Sequence, residues 1–185
     1  PTHNKANLVN WREWGQETFD DAQEQDKAGM LYIGAFKCGS CKGMDETTLS
    51  NDETITILNA YFIPIRVENA QRPDIDARYN QDGWPSIAFL TPWGDHLATV
   101  NYMPPNEFCN VLAQLHQTYQ DQQEEFRAAA NQQTPQSATA QPPARLRASA
   151  VSEIINTLME IADPVNVGYG PDHKFLHPEA HDLLL

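Results

Sequence analysis

Apolar positions along this chain recur with two different spacings, and the changes of spacing mark out its elements. Between residues 11 and 26, Trp11, Trp14, Thr18, Phe19 and Ala22 gather on one side of a helical wheel. Glu13, Glu17, Asp20, Asp21 and Glu24 lie largely on the other, which predicts an amphipathic surface helix. The run from Met30 to Phe36 is short and almost wholly apolar, the pattern of a central strand buried on both faces. A helix is expected from about 39 to 48, followed by a bend near Ser50. There Ser50-Asn51-Asp52-Glu53 reads as a capping box that opens a second helical piece through Ile55, Leu58 and Asn59.

Tyr61 to Val67 predicts a strand whose Pro64 lacks a ladder donor, which places it at a sheet edge or a bulge. A short helix or turn follows over 72–80, and Ser86 to Leu90 makes a third strand. Thr91-Pro92-Trp93-Gly94 has the Pro and Gly positions of a type I turn, so His96 to Tyr102 returns as the second arm of a hairpin. Pro105 suits the first position of a long helix that carries Phe108, Val111, Leu112, Leu115 and Tyr119 on one face, toward the sheet. These elements make an α/β body with a central mixed sheet over residues 1–130.

From Asn131 to Ala148 the composition shifts to Gln, Thr, Ser, Ala and Pro, too little apolar surface to offset the entropy of ordering, so 131–148 reads as a linker. Ser149 then caps a helix bearing Val151, Ile154, Ile155 and Leu158, which Asp163-Pro164 ends. Residues 149–185 are thus expected as a partly helical tail, the start of a second domain or a docking segment.

Charge narrows the partners. Twelve Lys plus Arg against 25 Asp plus Glu leave a net charge of -13, which opposes nucleic acid and the anionic face of a membrane. The sequence has no apolar stretch of the roughly 18 residues that would span a bilayer, so no membrane insertion is expected. The three cysteines are an odd count, and their spacing differs from that of a disulfide-stapled secreted domain. The expected compartment is the cytoplasm, although a signal peptide removed before Pro1 would leave no trace.

The chemistry concentrates in Cys38-Gly39-Ser40-Cys41, directly after the apolar run. A thiolate, not a thiol, attacks a disulfide, and a helix N-terminus favours the anion through its free N–H groups and dipole. With Lys37 and Lys42 nearby, Cys38 is expected to ionise below the usual thiol range and act as nucleophile. Cys41, one turn into the helix and more buried, would resolve the mixed disulfide. Gly39 would allow close approach, and Ser40 would offer a hydroxyl to the local backbone. Trp84-Pro85, at the start of a strand, is the second site element: a cis bond there would turn residue 84 so that its backbone pairs with an extended substrate. An inert structural disulfide or a pair of spare core thiols is the plain alternative for the cysteines, and an ordinary trans proline for Pro85.

Other candidates carry less. Zinc needs four ligands, and no second CxxC or well-spaced Cys/His pair supplies them; no metal or other cofactor is expected. Cys109, beside Phe108 and Leu112, reads as a small buried hydrophobe. Trp84 and Trp93 either cover apolar substrate surface or pack in the core. His173, His177 and His181 recur every four residues, but Pro178 interrupts any shared helix, so they read as solvated tail histidines.

The order of strand, CxxC, helix, strand, helix, Trp84-Pro85, hairpin and closing helix resembles a thioredoxin-like domain. More specifically, the body resembles the thioredoxin-like domain of the family typified by spermatogenesis-associated protein 20. The residues that carry this are Asn10-Trp11, Trp14-Gly15, Asp26-Lys27, the CxxC with Met44-Asp45-Glu46, and Glu68 with Arg72-Pro73-Asp74-Ile75-Asp76. Gly83-Trp84-Pro85, Phe89-Leu90-Thr91-Pro92 and Gly94 complete the set. Long members continue into an α/α-toroid resembling glycosidase and epimerase domains, at a join similar to Gly168-Tyr169-Gly170 with Lys174-Phe175 and His177-Pro178. The resemblance implies the front of such an architecture, a truncated form of it, or a short member whose tail folds back. Two positions depart from thioredoxins: Lys37 stands where they have Trp, and Tyr32 where they have a buried Asp that accepts the resolving thiol's proton.

The expected function is therefore a thiol–disulfide oxidoreductase-like domain acting on protein thiols or disulfides, with Cys38 and Cys41 catalytic and Trp84, Pro85, Lys37, Gly39 and Ser40 facing the substrate. The alternative is a non-catalytic module that docks to a partner subunit through its body and residues 149–185.

Overall fold

The computed structural model describes residues 4–132. The expected linker beyond 132, the tail helix, the join at Gly168-Tyr169-Gly170 and the three tail histidines lie outside the described residues. At the centre is β1, Ala28–Gly34, with all seven residues buried. It pairs in parallel with β2, Phe62–Glu68, and antiparallel with β3, Ser86–Leu90, which pairs antiparallel with β4, His96–Val100. The mixed sheet therefore runs β2-β1-β3-β4. Among the described residues, five α-helices surround it: α1 Gln16–Gln25, α2 Gly39–Glu46, α3 Asp52–Tyr61, α4 Pro73–Tyr79 and α5 Pro105–Gln132.

Because strand side chains alternate between faces, β1 feeds two cores. Met30 and Tyr32 join Met44, Leu58, Phe108 and Leu112 from α2, α3 and α5. Leu31 and Ile33 join Ala22 of α1 with Ile75 and Tyr79 of α4. This is the α/β, thioredoxin-like arrangement, with a helix layer on each sheet face. Among the described residues, no helix is long and apolar enough to cross a membrane.

Several boundaries fall elsewhere than expected, each for a local reason. The helix expected over 11–26 starts only at Gln16, because Arg12 is extended and bridges to Ile65 at the outer side of β2. Arg12 N donates to the Pro64 carbonyl at 2.8 Å, and Arg66 N donates to the Arg12 carbonyl at 3.1 Å. β2 is thus an edge strand, and the missing Pro64 N–H faces outward, where it interrupts no bond to β1. The central strand ends at Gly34 rather than Phe36, whose ring is 80% exposed.

The capping box also shifts by one residue. Asn51, not Ser50, caps α3 by accepting from Thr54 N at 3.1 Å. Ser50 Oγ instead donates to the Asp45 carbonyl and accepts from Lys5 N, which holds the bend after a short 3-10 turn, Thr48–Ser50. Gly94 N donates to the Thr91 carbonyl at 2.9 Å, closing the hairpin turn. The returning strand stops at Val100, two residues short of Tyr102. Helix α5 continues to Gln132, past the expected linker start at Asn131. Its second half has its own anchor: Asp26, in a left-handed conformation after α1, accepts from Tyr119 Oη at 2.9 Å, Arg127 at 2.8 Å and Gln123.

Candidate active site

Cys38 is the N-cap of α2, and its Sγ accepts from the Cys41 N–H at 3.1 Å. Sulfur at this position meets the unpaired donors and positive dipole end of the helix. Cys38 and Cys41 are joined in a disulfide, with their Cα atoms 5.2 Å apart. The pair is asymmetric, since Cys38 is half-buried whereas Cys41 is only 6% exposed.

The Trp84–Pro85 peptide is cis and lies beside this pair, with the Trp84 carbonyl oxygen 3.6 Å from Cys38 Sγ. Neutral hydrogen bonds hold the segment. Asn101 Nδ2 donates to the carbonyls of Pro85 at 3.0 Å and Gln81 at 3.1 Å. Ser86 Oγ donates to the Gly83 carbonyl at 2.7 Å, and Asn80 Oδ1 accepts from Gly83 N at 3.2 Å. Asp82 and Gly83 have φ of 62° and 106°, and the left-handed pair turns the chain into the cis peptide, a conformation that glycine tolerates at Gly83. Trp84 is 41% exposed, with its indole N–H donating to Asp76 Oδ1 at 3.0 Å.

On the other side of β1 the site is charged. Register pairs Tyr32 with Arg66 and Gly34 with Glu68, so these residues share one sheet face. Arg66 donates to both oxygens of Asp45 on α2, each at 2.8 Å, and its guanidinium sits 4.5 Å from the Tyr32 ring centre. Burial works most strongly against the Arg66 charge, but the hydrogen bonds and charge of Asp45, together with Tyr32 and Glu68, outweigh it and the guanidinium pKa rises. Tyr32, fully buried, donates from its hydroxyl to the Cys41 carbonyl at 3.4 Å. Burial, reinforced by Asp45, pushes its phenol pKa well up. A cleft of about 420 Å³ opens above this cluster, lined among others by Cys38, Cys41, Asp45, Arg66 and Glu68.

Of the expected substrate-facing residues, the structure brings Trp84 and Pro85 to Cys38. Lys37 is exposed, with φ of 59° and its ammonium 5.5 Å from the Phe36 ring centre. Gly39 has no atom within 4 Å of where a Cβ would stand, so close packing does not require glycine there. The Ser40 side chain makes no hydrogen bond to a described residue, and at the α2 N-terminus the side-chain cap is Cys38 Sγ. Trp93 packs partly buried against the core, and Cys109 is buried against Thr54 Oγ1 at 3.3 Å. Burial raises the Cys109 thiol pKa.

Phe36, Asn101, Asp76, Arg66 and Glu68 stand at the site without having been expected there from the sequence. Glu68 and Asp76 lay within stretches already singled out, but no local spacing ties either to the CxxC. Asn101 lies outside those stretches and far from the cysteines in sequence.

Residues 2–137 match the family model Thioredox_DsbH, described as "Protein of unknown function, DUF255". The chain belongs to that family. Mouse spermatogenesis-associated protein 20 is 35% identical over 109 residues, which are 55% of this chain and 14% of that protein. The Caenorhabditis elegans Uncharacterized protein B0495.5 is 30% identical over 135 residues, 65% of this chain and 18% of its own length. The chain therefore spans less than a fifth of the length of these relatives. Among solved structures, a thioredoxin from Thermus thermophilus superposes with a TM-score of 0.52 at 24% identity, covering 58% of this chain and 87% of that one. That likeness concerns the fold. Together with the close Cys38–Cys41 pair, family and fold describe a redox-type thioredoxin domain.

Proposed function

We propose that this domain is a thiol–disulfide oxidoreductase acting on protein thiols and disulfides. The observation that carries this reading is the position of Cys38: N-cap of α2, bonded to Cys41, and 3.6 Å from the backbone of the cis Trp84–Pro85 segment. In the reduced state Cys38 attacks a substrate disulfide, and the α2 N-terminus stabilises its thiolate. The more buried Cys41 then attacks Cys38 Sγ, closing the protein disulfide and releasing the substrate thiol. Trp84 and Phe36, 41% and 80% exposed, supply apolar surface on either side of Cys38 for a polypeptide whose backbone pairs alongside Trp84.

The test is the alkylation rate of reduced Cys38 against pH, with insulin reduction, in wild type and Cys38→Ser. A Cys38 pKa well below the free-thiol value of about 8.5, with turnover lost in the variant, is expected. A pKa near that value with no turnover in wild type would sink the enzyme reading and favour a docking module.

A further inference from the structure

Resolution by Cys41 poses a problem of proton placement. A thiol only 6% exposed must lose its proton before it can attack. Tyr32, directly beneath, is no acceptor: its hydroxyl donates to the Cys41 carbonyl. Asp45 already accepts both N–H groups of Arg66. Glu68 differs. It ends β2 on the same sheet face, lines the same cleft as Cys41, and no hydrogen bond or ion pair from a described residue engages its carboxylate. Gly34, its register partner, contributes no side chain; a Cβ there would stand 3.8 Å from Glu68 Oε1 and 3.1 Å from the Tyr32 ring. The cleft, at about 420 Å³ and with Asp45, Arg66 and Glu68 among its lining residues, is large enough to admit bridging water.

We propose that Glu68 accepts the Cys41 proton through cleft water, taking the part that the Tyr32 position cannot play. This rests on the oxidoreductase reading above. The step starts from the mixed disulfide between Cys38 and a substrate sulfur. The Cys41 S–H passes its proton to the Glu68 carboxylate, and the resulting thiolate attacks Cys38 Sγ. The Cys38–Cys41 bond forms as the bond from Cys38 to the substrate breaks, and the substrate sulfur leaves with the electron pair as a thiolate. Protonated Glu68 then returns its proton through the cleft to that thiolate or to solvent. Over the full reaction the dithiol loses two electrons and the substrate disulfide gains two. The groups around Glu68 are Arg66 on its own strand, Tyr32 on β1, Cys41, Lys42 and Asp45 on α2, and Lys37 with Cys38 on the connecting loop. The Arg66–Asp45 pair positions the cluster by keeping the guanidinium turned to Asp45.

The experiment uses the reduced full chain and a chromogenic aryl disulfide, so that the first coloured thiolate reports attack by Cys38 and the second reports resolution by Cys41. In Glu68→Gln the first release should keep its wild-type rate and pH profile. The second should slow about tenfold near neutral pH, a modest share of what a positioned base contributes, and recover as pH rises past about 8.5, where the thiol ionises unaided. Glu68→Asp should restore most of the second rate. A second release in Glu68→Gln that matches wild type from about pH 6 to about pH 9 would remove Glu68 from the step while leaving the oxidoreductase reading intact. A wild-type protein that gives no first release would overturn both.

Discussion

The two flanks of the Cys38–Cys41 pair are built from opposite materials. On the β3 side stand a cis peptide, the exposed indole of Trp84 and a net of neutral hydrogen bonds from Asn80, Ser86 and Asn101. On the β2 side stand Arg66, Asp45 and Glu68 around a cleft, with Tyr32 buried beneath. Sheet order is responsible: β1 leads into the cysteines, and its two neighbours carry different residues to the same end. A backbone held by neutral hydrogen bonds can pair with a polypeptide at little cost in desolvated charge, whereas a charged cleft can move a proton. In the proposed function, recognition and proton handling are thus separated by the width of one strand.

Three substitutions bear on that separation. Trp84→Ala removes the indole and its bond to Asp76, and should raise the KM for a polypeptide disulfide about tenfold, equivalent to about 1.4 kcal/mol. Release from a small aryl disulfide should stay unchanged, and equal losses on both substrates would break the assignment of this flank. Asp45→Asn acts on the other side. It leaves the part-buried Arg66 without its anionic partner, lowering stability by about 1 kcal/mol in urea unfolding, a small figure because the pair is partly solvated. The freed guanidinium should turn toward Glu68 and slow the second release several-fold, with polypeptide affinity unchanged. A slowed first release instead would show that the two flanks are not independent.

The smallest effect on exchange is expected at Asp95, after the β3–β4 turn. Burial pushes its carboxyl up from 3.8 to about 6. The folded state therefore holds the proton more tightly than the unfolded state, so this contribution to stability is full below the unfolded pKa and is lost as pH rises from about 4 through about 6. Asp95→Asn should flatten that slope in pH-dependent thermal melts and leave both thiolate releases at wild-type rates. A slope that persists in the variant would assign it to another group.

Much of the fold was legible because the signals were local. The strand at Ser86–Leu90 and the start of α5 at Pro105 fall where alternation and proline geometry put them. The errors arose where distant backbone overruled a local pattern. Trp11 and Arg12 have helical periodicity, yet the open edge of β2 captures Arg12 as an extended segment. Phe36 continues an apolar run but lies past the last paired residue, out in solvent beside the cysteines. The long reach of α5 depends on Asp26, about a hundred residues away in sequence, which no periodicity reveals.

The candidate site divides the same way. Cys38, Cys41 and Pro85 could be chosen from residue type and spacing, because thiol pairing and proline isomerism are intrinsic to those residues. Gly39 and Ser40 follow from the same grounds: Gly39 lines the cleft with open space above it, and the Ser40 hydroxyl makes no hydrogen bond to a described residue.

The amino-acid sequence by itself determined the periodic elements, the redox pair and the proline beside it, since propensity, burial pattern and thiol chemistry act over a few residues. Only the tertiary structure decided what surrounds that pair. Strand pairing brought Arg66 and Glu68 next to Tyr32 and Gly34 and set Asn101 against Pro85. Those neighbours come from strand register and side-chain geometry, which depend on the whole sheet and are written in no single stretch of the chain.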